Sequence, residues 1–175
     1  MAMFLEKIGY FDLCTFKWCL TRRYSRQVAR VSRWISRLGD GIYYAIFGAI
    51  LIWLDADKGQ PFFSACLLGF AFELPAYLLV KNTIKRQRPH DAIQEFVAYL
   101  VPSDKFSFPS GHTAAAFVMA TTIAQFYPSF AALAYTVAMM IGTSRVLLGV
   151  HFPTDILAGM FLGVASANTA LWLYL

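Results

Sequence analysis

Three stretches of this chain are too long and too apolar to be ordinary pieces of a water-soluble core. Pro61 to Val80 holds one charged side chain, Glu73; Phe117 to Ile141 holds none; Pro153 to Leu175 holds only Asp155, near its start. About 20 apolar residues cross the hydrocarbon layer of a bilayer as a helix, which satisfies its own backbone hydrogen bonds where no water can. Composition points the same way. Of 175 residues 58% are hydrophobic and only 14% charged, where a soluble domain carries about a quarter charged. The expected fold class is therefore all-α, an integral membrane helical bundle.

About five transmembrane helices are expected: Leu38 to Leu54, Pro61 to Val80, Ser110 to Phe126, Pro128 to Leu148, and Pro153 to Leu175. Before them lies a segment of different character. From Phe4 to Leu20 apolar residues recur at helical spacing with Glu6, Lys7, Asp12 and Lys17 between them, the pattern of an amphipathic helix lying in the membrane interface and not the clean apolar core of a cleavable signal. Arg22, Arg26, Arg30, Arg33 and Arg37 follow every three or four residues. On a helix they form one stripe, either a solvated face or one attracted to anionic headgroups. The chain thus divides into a basic interfacial segment, 1–37, and a transmembrane domain, 38–175. Cys14, Cys19 and Cys66 have no ligand-like spacing and read as packing thiols rather than a metal or disulfide framework. Glu73, inside a span, reads as a buried hydrogen-bonding or neutral acid, or as a residue that positions a nearby cation. Gly159 and Gly163 give the last helix a small-residue face for close packing.

The polar residues collect into three clusters. Lys81 and Arg88 stand seven residues apart, so a continuing helix would aim both cations the same way until Pro89 stops it; alternatively Lys81, Lys85, Arg86 and Arg88 mark the membrane boundary. In Pro109-Ser110-Gly111-His112, Ser110 suits a helix N-cap and Gly111 lets backbone approach a ligand. The amides that follow make an anion site, with His112 beside it to give or take a proton. In Ser144-Arg145 with His151 and Asp155, the last two are one helical turn apart. Asp155 can then hold one ring nitrogen while the other attacks phosphorus, and Arg145 adds a planar fork for phosphate oxygens; Asp155 reads equally as a helix N-terminal charge. Alternating spans put all three clusters on one side of the membrane. Two histidines, three cations, a serine-glycine turn and a carboxylate fit metal-free phosphoryl transfer, whose transition state spreads negative charge over oxygens. No nucleotide motif accompanies them, and no nucleic-acid partner is expected.

Together the clusters resemble the type-2 phosphatidic acid phosphatase superfamily of membrane lipid phosphatases. That family's pattern of a lysine, six residues and Arg-Pro, then Pro-Ser-Gly-His, then Ser-Arg, five residues, His, three residues and Asp, is present without departure. The resemblance implies His151 as a nucleophile forming phosphohistidine, Asp155 as its orienting partner, and His112 as the acid that protonates the leaving oxygen. It implies Lys81, Arg88, Ser110, Gly111 and Arg145 as the phosphate-binding set, with no metal and no other cofactor. The expected partners are the bilayer and a lipid phosphate: a polyprenyl diphosphate, phosphatidylglycerol phosphate or phosphatidic acid. A lipid phosphotransferase sharing the phosphoenzyme, or a non-catalytic lipid-binding protein, is the alternative. The family implies a bacterial inner membrane and an extracytoplasmic site, although the positive-inside rule pulls the arginine stripe the other way.

Overall fold

A computed structural model describes residues 9–17, 26–93, 98–100 and 104–175, with the Arg26 side chain excepted. Among the described residues every regular element is a helix: α1 over 9–17, α2 Arg26–Arg37, α3 Gly41–Leu54, α4 Gly59–Ile84, α5 Pro89–Ala92, α6 Gly111–Phe126, α7 Ala131–Leu147 and α8 Pro153–Tyr174, with a 3-10 turn Pro128–Phe130 before α7. Glu6, Lys7, Cys19 and Arg22, and with them the ends of the Phe4 to Leu20 segment, lie outside the described residues.

Among the described residues three segments are long and apolar enough to cross a bilayer: Gly59–Ala92, Pro128–Leu147 and Pro153–Tyr174. A fourth arises if Gln27–Arg37 and Gly41–Leu54, bent by 51° at the break between them, are counted as one. The expectation of about five spans therefore meets two short helices. At 1.5 Å per residue, α3 with 14 residues and α6 with 16 reach only about 21 and 24 Å, against about 30 Å of hydrocarbon. For α6 the packing supplies the reason. It is the central helix, lying against α4, α7 and α8, and Thr113, Ala114 and nearly everything from Ala116 to Thr122 is buried. A helix sheathed by longer neighbours has no lipid to match.

The outer surface is apolar in the way a bilayer requires. Phe161 and Trp172 are 76% and 82% exposed on α8, and Leu67, Leu74 and Leu79 face outward on α4, an exposure that water would not tolerate over so large an area. Inside, Phe117, Ala120, Ala138 and Ile141 join α6 to α7, and Phe62, Cys66 and Met119 join α4 to α6. Cys66 is a buried packing thiol 3.8 Å from the Met119 sulfur, and Cys14 is exposed; both are free. Glu73 is buried in α4, two turns before Lys81.

Helix ends alternate as the spans imply. At one end Asp55, following α3, accepts from the Lys58 amide at the head of α4 (2.9 Å) and from the Tyr127 hydroxyl at the foot of α6 (3.2 Å). The C-terminus of α4, the N-terminus of α6 and the α7–α8 turn therefore gather at the other. α1 and α2 dock onto the bundle there: the Phe16 ring of α1 lies edge-on to Phe152 at 5.6 Å, and α2 buries Ala29, Ser32 and Ser36 against α7.

The small-residue face of α8 meets backbone directly. A Cβ at Gly159 would stand 2.5 Å from the Ser110 carbonyl oxygen, and one at Gly163 would run into the Ala114 carbonyl and stand 2.9 Å from Phe117 Cβ. Backbone cannot step aside as a flexible side chain can. Gly163→Val is expected to destabilise by about 1–3 kcal/mol through overpacking. Gly41→Ala, with nothing within 4 Å, should leave stability equal or slightly raised. Thermal unfolding of the two variants in detergent checks the contrast.

Candidate active site

The route from α4 to Arg88 is not the continuous helix that the seven-residue spacing suggests. α4 ends at Ile84 because Lys85 adopts a left-handed conformation (φ 51°, ψ 39°), and Arg88 is extended ahead of Pro89, which opens α5 at its first turn. Proline disfavours a helical residue before it and is tolerated at a helix start, so Pro89 begins a helix instead of stopping one. Chain reversal, not helical periodicity, brings Lys81 and Arg88 together, and both are buried.

His151 is delivered by a different device. α7 closes with Gly149 left-handed at φ 78°, its amide bonded to the Val146 carbonyl (2.9 Å) and the Val150 amide to the Arg145 carbonyl (3.2 Å). That pair of bonds is a Schellman closure, which needs a residue without a Cβ at the left-handed position. Gly149, two residues before the histidine, is the sequence mark of this turn. The Arg88 guanidinium reaches across and donates to the Val150 carbonyl at 2.6 Å.

Asp155 sits in the first turn of α8, fully buried. Its Oδ2 accepts from the Phe152 amide (2.7 Å) and its Oδ1 from Arg86 (2.8 Å). His151 Nδ1 lies 3.5 Å from Oδ2 and among the described residues has no hydrogen-bond partner, so the two are close neighbours and not a hydrogen-bonded pair. Burial pushes the His151 imidazole down to about 4 despite the opposing pull of Asp155. The ring is therefore neutral at physiological pH.

Ser110 precedes α6 in extended conformation, but its side chain does not cap the helix; its Oγ accepts from the Thr113 hydroxyl at 2.9 Å. The Ser110 amide donates to the Asp155 carbonyl (3.0 Å), tying the α6 N-terminus to α8. A Cβ on Gly111 would stand 3.0 Å from the Tyr77 ring, so this glycine admits a tyrosine. His112 Nε2 is 2.9 Å from Asp40 Oδ1, and the Arg145 guanidinium donates to Ser36 Oγ at 2.7 Å while its Nε has no partner. The structure thus brings Lys81, Arg88, Ser110, Gly111, His112, Arg145, His151 and Asp155 to one end of the bundle.

Several neighbours escaped the sequence reading. Asp104 forms ion pairs with both Lys81 and Arg88 and accepts from the Tyr77 hydroxyl (2.8 Å). Burial would raise its carboxyl, but hydrogen bonds from Lys81 and Tyr77 and the Arg88 charge outweigh that and hold it at about 2. Arg86, one of the residues that marked a membrane boundary, bridges Asp155 to Asp12 (2.5 Å), and Asp12 also takes the Thr154 amide (3.1 Å). Asp12 is fully buried, so this acid of the amphipathic N-terminal helix belongs to the site's support and not to a solvated face. Among the described residues no group of three or more His, Cys, Asp or Glu side chains is placed to hold a metal. An apolar groove of about 440 Å³ runs between α3, α6 and α7, lined by Tyr44, Phe47, Met119, Ala120, Val137 and Ile141.

Residues 60–175 match the sequence profile of the PAP2 superfamily. Phosphatidylglycerophosphatase B of Bacillus subtilis (strain 168) is 36% identical over 109 residues, covering 56% of this chain and 51% of that protein. Bacitracin transport permease protein BcrC of Bacillus licheniformis is 41% identical over 132 residues, 75% of this chain and 65% of that one. The chain spans about half to two thirds of the length of these relatives. The crystal structure of a transmembrane PAP2 type phosphatidylglycerolphosphate phosphatase from Bacillus subtilis superposes with a TM-score of 0.76 at 27% identity, over 95% of this chain and 86% of that one.

The buried neutral His151 has a consequence for stability. Its folded pKa of about 4 lies below the ordinary 6.5 of an unfolded chain, so the unfolded state takes up the proton first as pH falls. The contribution is fully present above about 6.5 and is lost between there and about 4. The unfolding temperature in detergent should fall across that window, and His151→Asn should make the fall shallower.

Proposed function

The chain belongs to the PAP2 superfamily, and from that premise we propose that it is a membrane lipid phosphatase working through a phosphohistidine, without a metal. The observation that carries the reading is the gathering of the eight motif residues from three separate clusters at one end of the bundle, with a buried, neutral imidazole among them. His151 attacks phosphorus through Nε2 as the bond from phosphorus to the lipid oxygen breaks. His112 gives its proton to that leaving oxygen, and Asp40 at 2.9 Å holds the ring for the task. Asp155 closes its 3.5 Å separation on Nδ1 as the imidazole gains positive charge. Lys81, Arg88, Arg145, the Ser110 hydroxyl and the Gly111 amide hold the phosphoryl oxygens. Water, deprotonated by His112, then cleaves the phosphoenzyme and releases phosphate.

The apolar groove supports a lipid substrate. Its Ile141 end adjoins the catalytic histidine: a Cβ at Gly39 would stand 2.9 Å from Ile141 Cγ2 and 3.3 Å from His112 Cδ2. A hydrocarbon chain lying there keeps its tail in apolar surroundings while the headgroup reaches the cations. The names of two relatives favour phosphatidylglycerol phosphate as substrate, and a polyprenyl diphosphate or phosphatidic acid stands beside it from the family resemblance alone.

His151→Ala should lower phosphate release from such lipids by at least about 10³-fold, as loss of a nucleophile does, while the protein stays folded by size-exclusion profile. Wild-type protein should incorporate label from a ³²P-lipid in an acid-labile form, and a chelator should leave its rate unchanged. Undiminished release from the alanine variant removes the nucleophile assignment.

We place the site on the extracytoplasmic face of a bacterial inner membrane. Because Ser36 and Asp40 touch Arg145 and His112, α2 and the site share one end of the bundle, so one label reports on both. A cysteine at Arg30, in a background lacking the three native cysteines, should react with an impermeant maleimide in intact cells. Reaction only after permeabilisation puts the site in the cytoplasm.

A further inference from the structure

The cationic cradle already holds an anion of its own. Asp104 lies in the polar connection between α5 and α6, and its two carboxylate oxygens are divided between the cations: Oδ1 pairs with Arg88 Nη2, and Oδ2 pairs with Lys81 Nζ and accepts the Tyr77 hydroxyl at 2.8 Å. Arg88 Nε adds a bond to the Asp104 carbonyl at 3.1 Å. Two oxygens on a planar carbon here meet two of the basic groups that phosphoryl oxygens would meet. The third basic group, Arg145, makes no ion pair with Asp104, and among the described residues its Nε is buried without a hydrogen-bond partner. In the resting cradle Asp104 therefore pairs directly with two of the three basic side chains and leaves the third open to an anion.

We propose that Asp104 is a specificity-determining residue, an internal monoanion that admits to the Lys81–Arg88 cradle only ligands more highly charged than the carboxylate they displace. The inference rests on the phosphatase reading above. A phosphomonoester or the terminal phosphate of a diphosphate carries between one and two negative charges at neutral pH on three free oxygens. It can match both contacts of Asp104 and still offer an oxygen to Arg145. A phosphodiester carries one charge on two free oxygens. It exchanges like for like, and the tethered carboxylate, already in place, wins by its effective concentration. For an enzyme embedded in a bilayer this discrimination matters, because membrane phospholipids are phosphodiesters and are present in large excess over any monoester. Asp104 keeps the surrounding lipid from occupying the site as a competitive inhibitor. Its carboxyl is held at about 2, so it is ionised wherever the enzyme works.

A merely supportive role for Asp104, steadying Lys81 and Arg88, predicts the opposite result on substitution, and binding measurements separate the two. The full chain, purified in dodecyl maltoside, is titrated by calorimetry with inorganic phosphate and, separately, with a short-chain phosphatidylglycerol as the phosphodiester probe. Asp104→Asn and Asp104→Ala should bind phosphate about tenfold more tightly than wild type, the worth of one weakened ionic contact. The phosphodiester, which should not compete with phosphate in wild type, should compete in both variants, and Asp104→Glu should restore exclusion. Weaker or unchanged phosphate binding in the Asn and Ala variants overturns the proposal. Wild-type protein that binds the phosphodiester as tightly as phosphate does so without any variant. Arg88→Ala tells the two readings apart. If it leaves phosphate binding intact, the cradle is not the phosphoryl site and the proposed function falls; if it weakens binding while Asp104→Asn fails to tighten it, only the role of Asp104 falls.

Discussion

Asp155 is the fixed point from which the site is built. A fully buried carboxylate is costly unless its oxygens are paired, and each contact that satisfies this one fastens a different piece of chain. Arg86 brings the α4–α5 connection and, through Asp12, the N-terminal helix. The Phe152 amide fixes the turn that presents His151, and the Asp155 carbonyl takes the Ser110 amide at the head of α6. Gly159, one turn further along α8, lets that same Ser110 come close enough to reach it. Removing the carboxylate would leave Arg86 with Asp12 and the Thr154 hydroxyl and would free the turn beneath the histidine.

What could be read from the sequence was whatever depends on residue type at a fixed local spacing. The apolar stretches, the two α8 glycines and the three clusters are of this kind, and the structure gathers the clusters at one end. The parts that escaped depend on where the chain reverses. Asp104, Asp40 and Ser36 lie in no motif and reach Lys81, His112 and Arg145 only after folding. Arg86 and Asp12 had ordinary readings as a membrane-boundary cation and a charge of an interfacial amphipathic helix, because charge alone does not say that two residues 74 apart in sequence will pair. Even the seven-residue spacing of Lys81 and Arg88 pointed to the right neighbours for the wrong reason, since a left-handed Lys85 interrupts the helix between them. Run length is a related case: α6 runs from one end of the bundle to the other with only 16 residues because its neighbours enclose it.

The site also shows how buried charge is tolerated at the edge of an apolar bundle. Its basic groups are met one by one: Lys81 and Arg88 by Asp104, Arg86 by Asp12 and Asp155, and Arg145, among the described residues, by a hydrogen bond to Ser36 without an ion pair. Arg145 is the least compensated of them, and it lies in the last turn of α7, where the helix dipole favours a cation. Pairing that stops one carboxylate short leaves the pocket attractive to an anion without leaving it unstable.

The 51° bend between α2 and α3 bears on what kind of unit this chain is. Asp40 lies at the bend and Ser36 one turn before it, and both precede residue 60, where the match to the family profile begins. The profile therefore encloses every residue of the three motifs, while the side chains that hold His112 and Arg145 in place come from outside it. In this protein the matched region is completed by residues that lie before it. Its reactive groups are finished by a preceding segment, so a change at Ser36 or Asp40 would reposition Arg145 or His112 without altering a single motif residue.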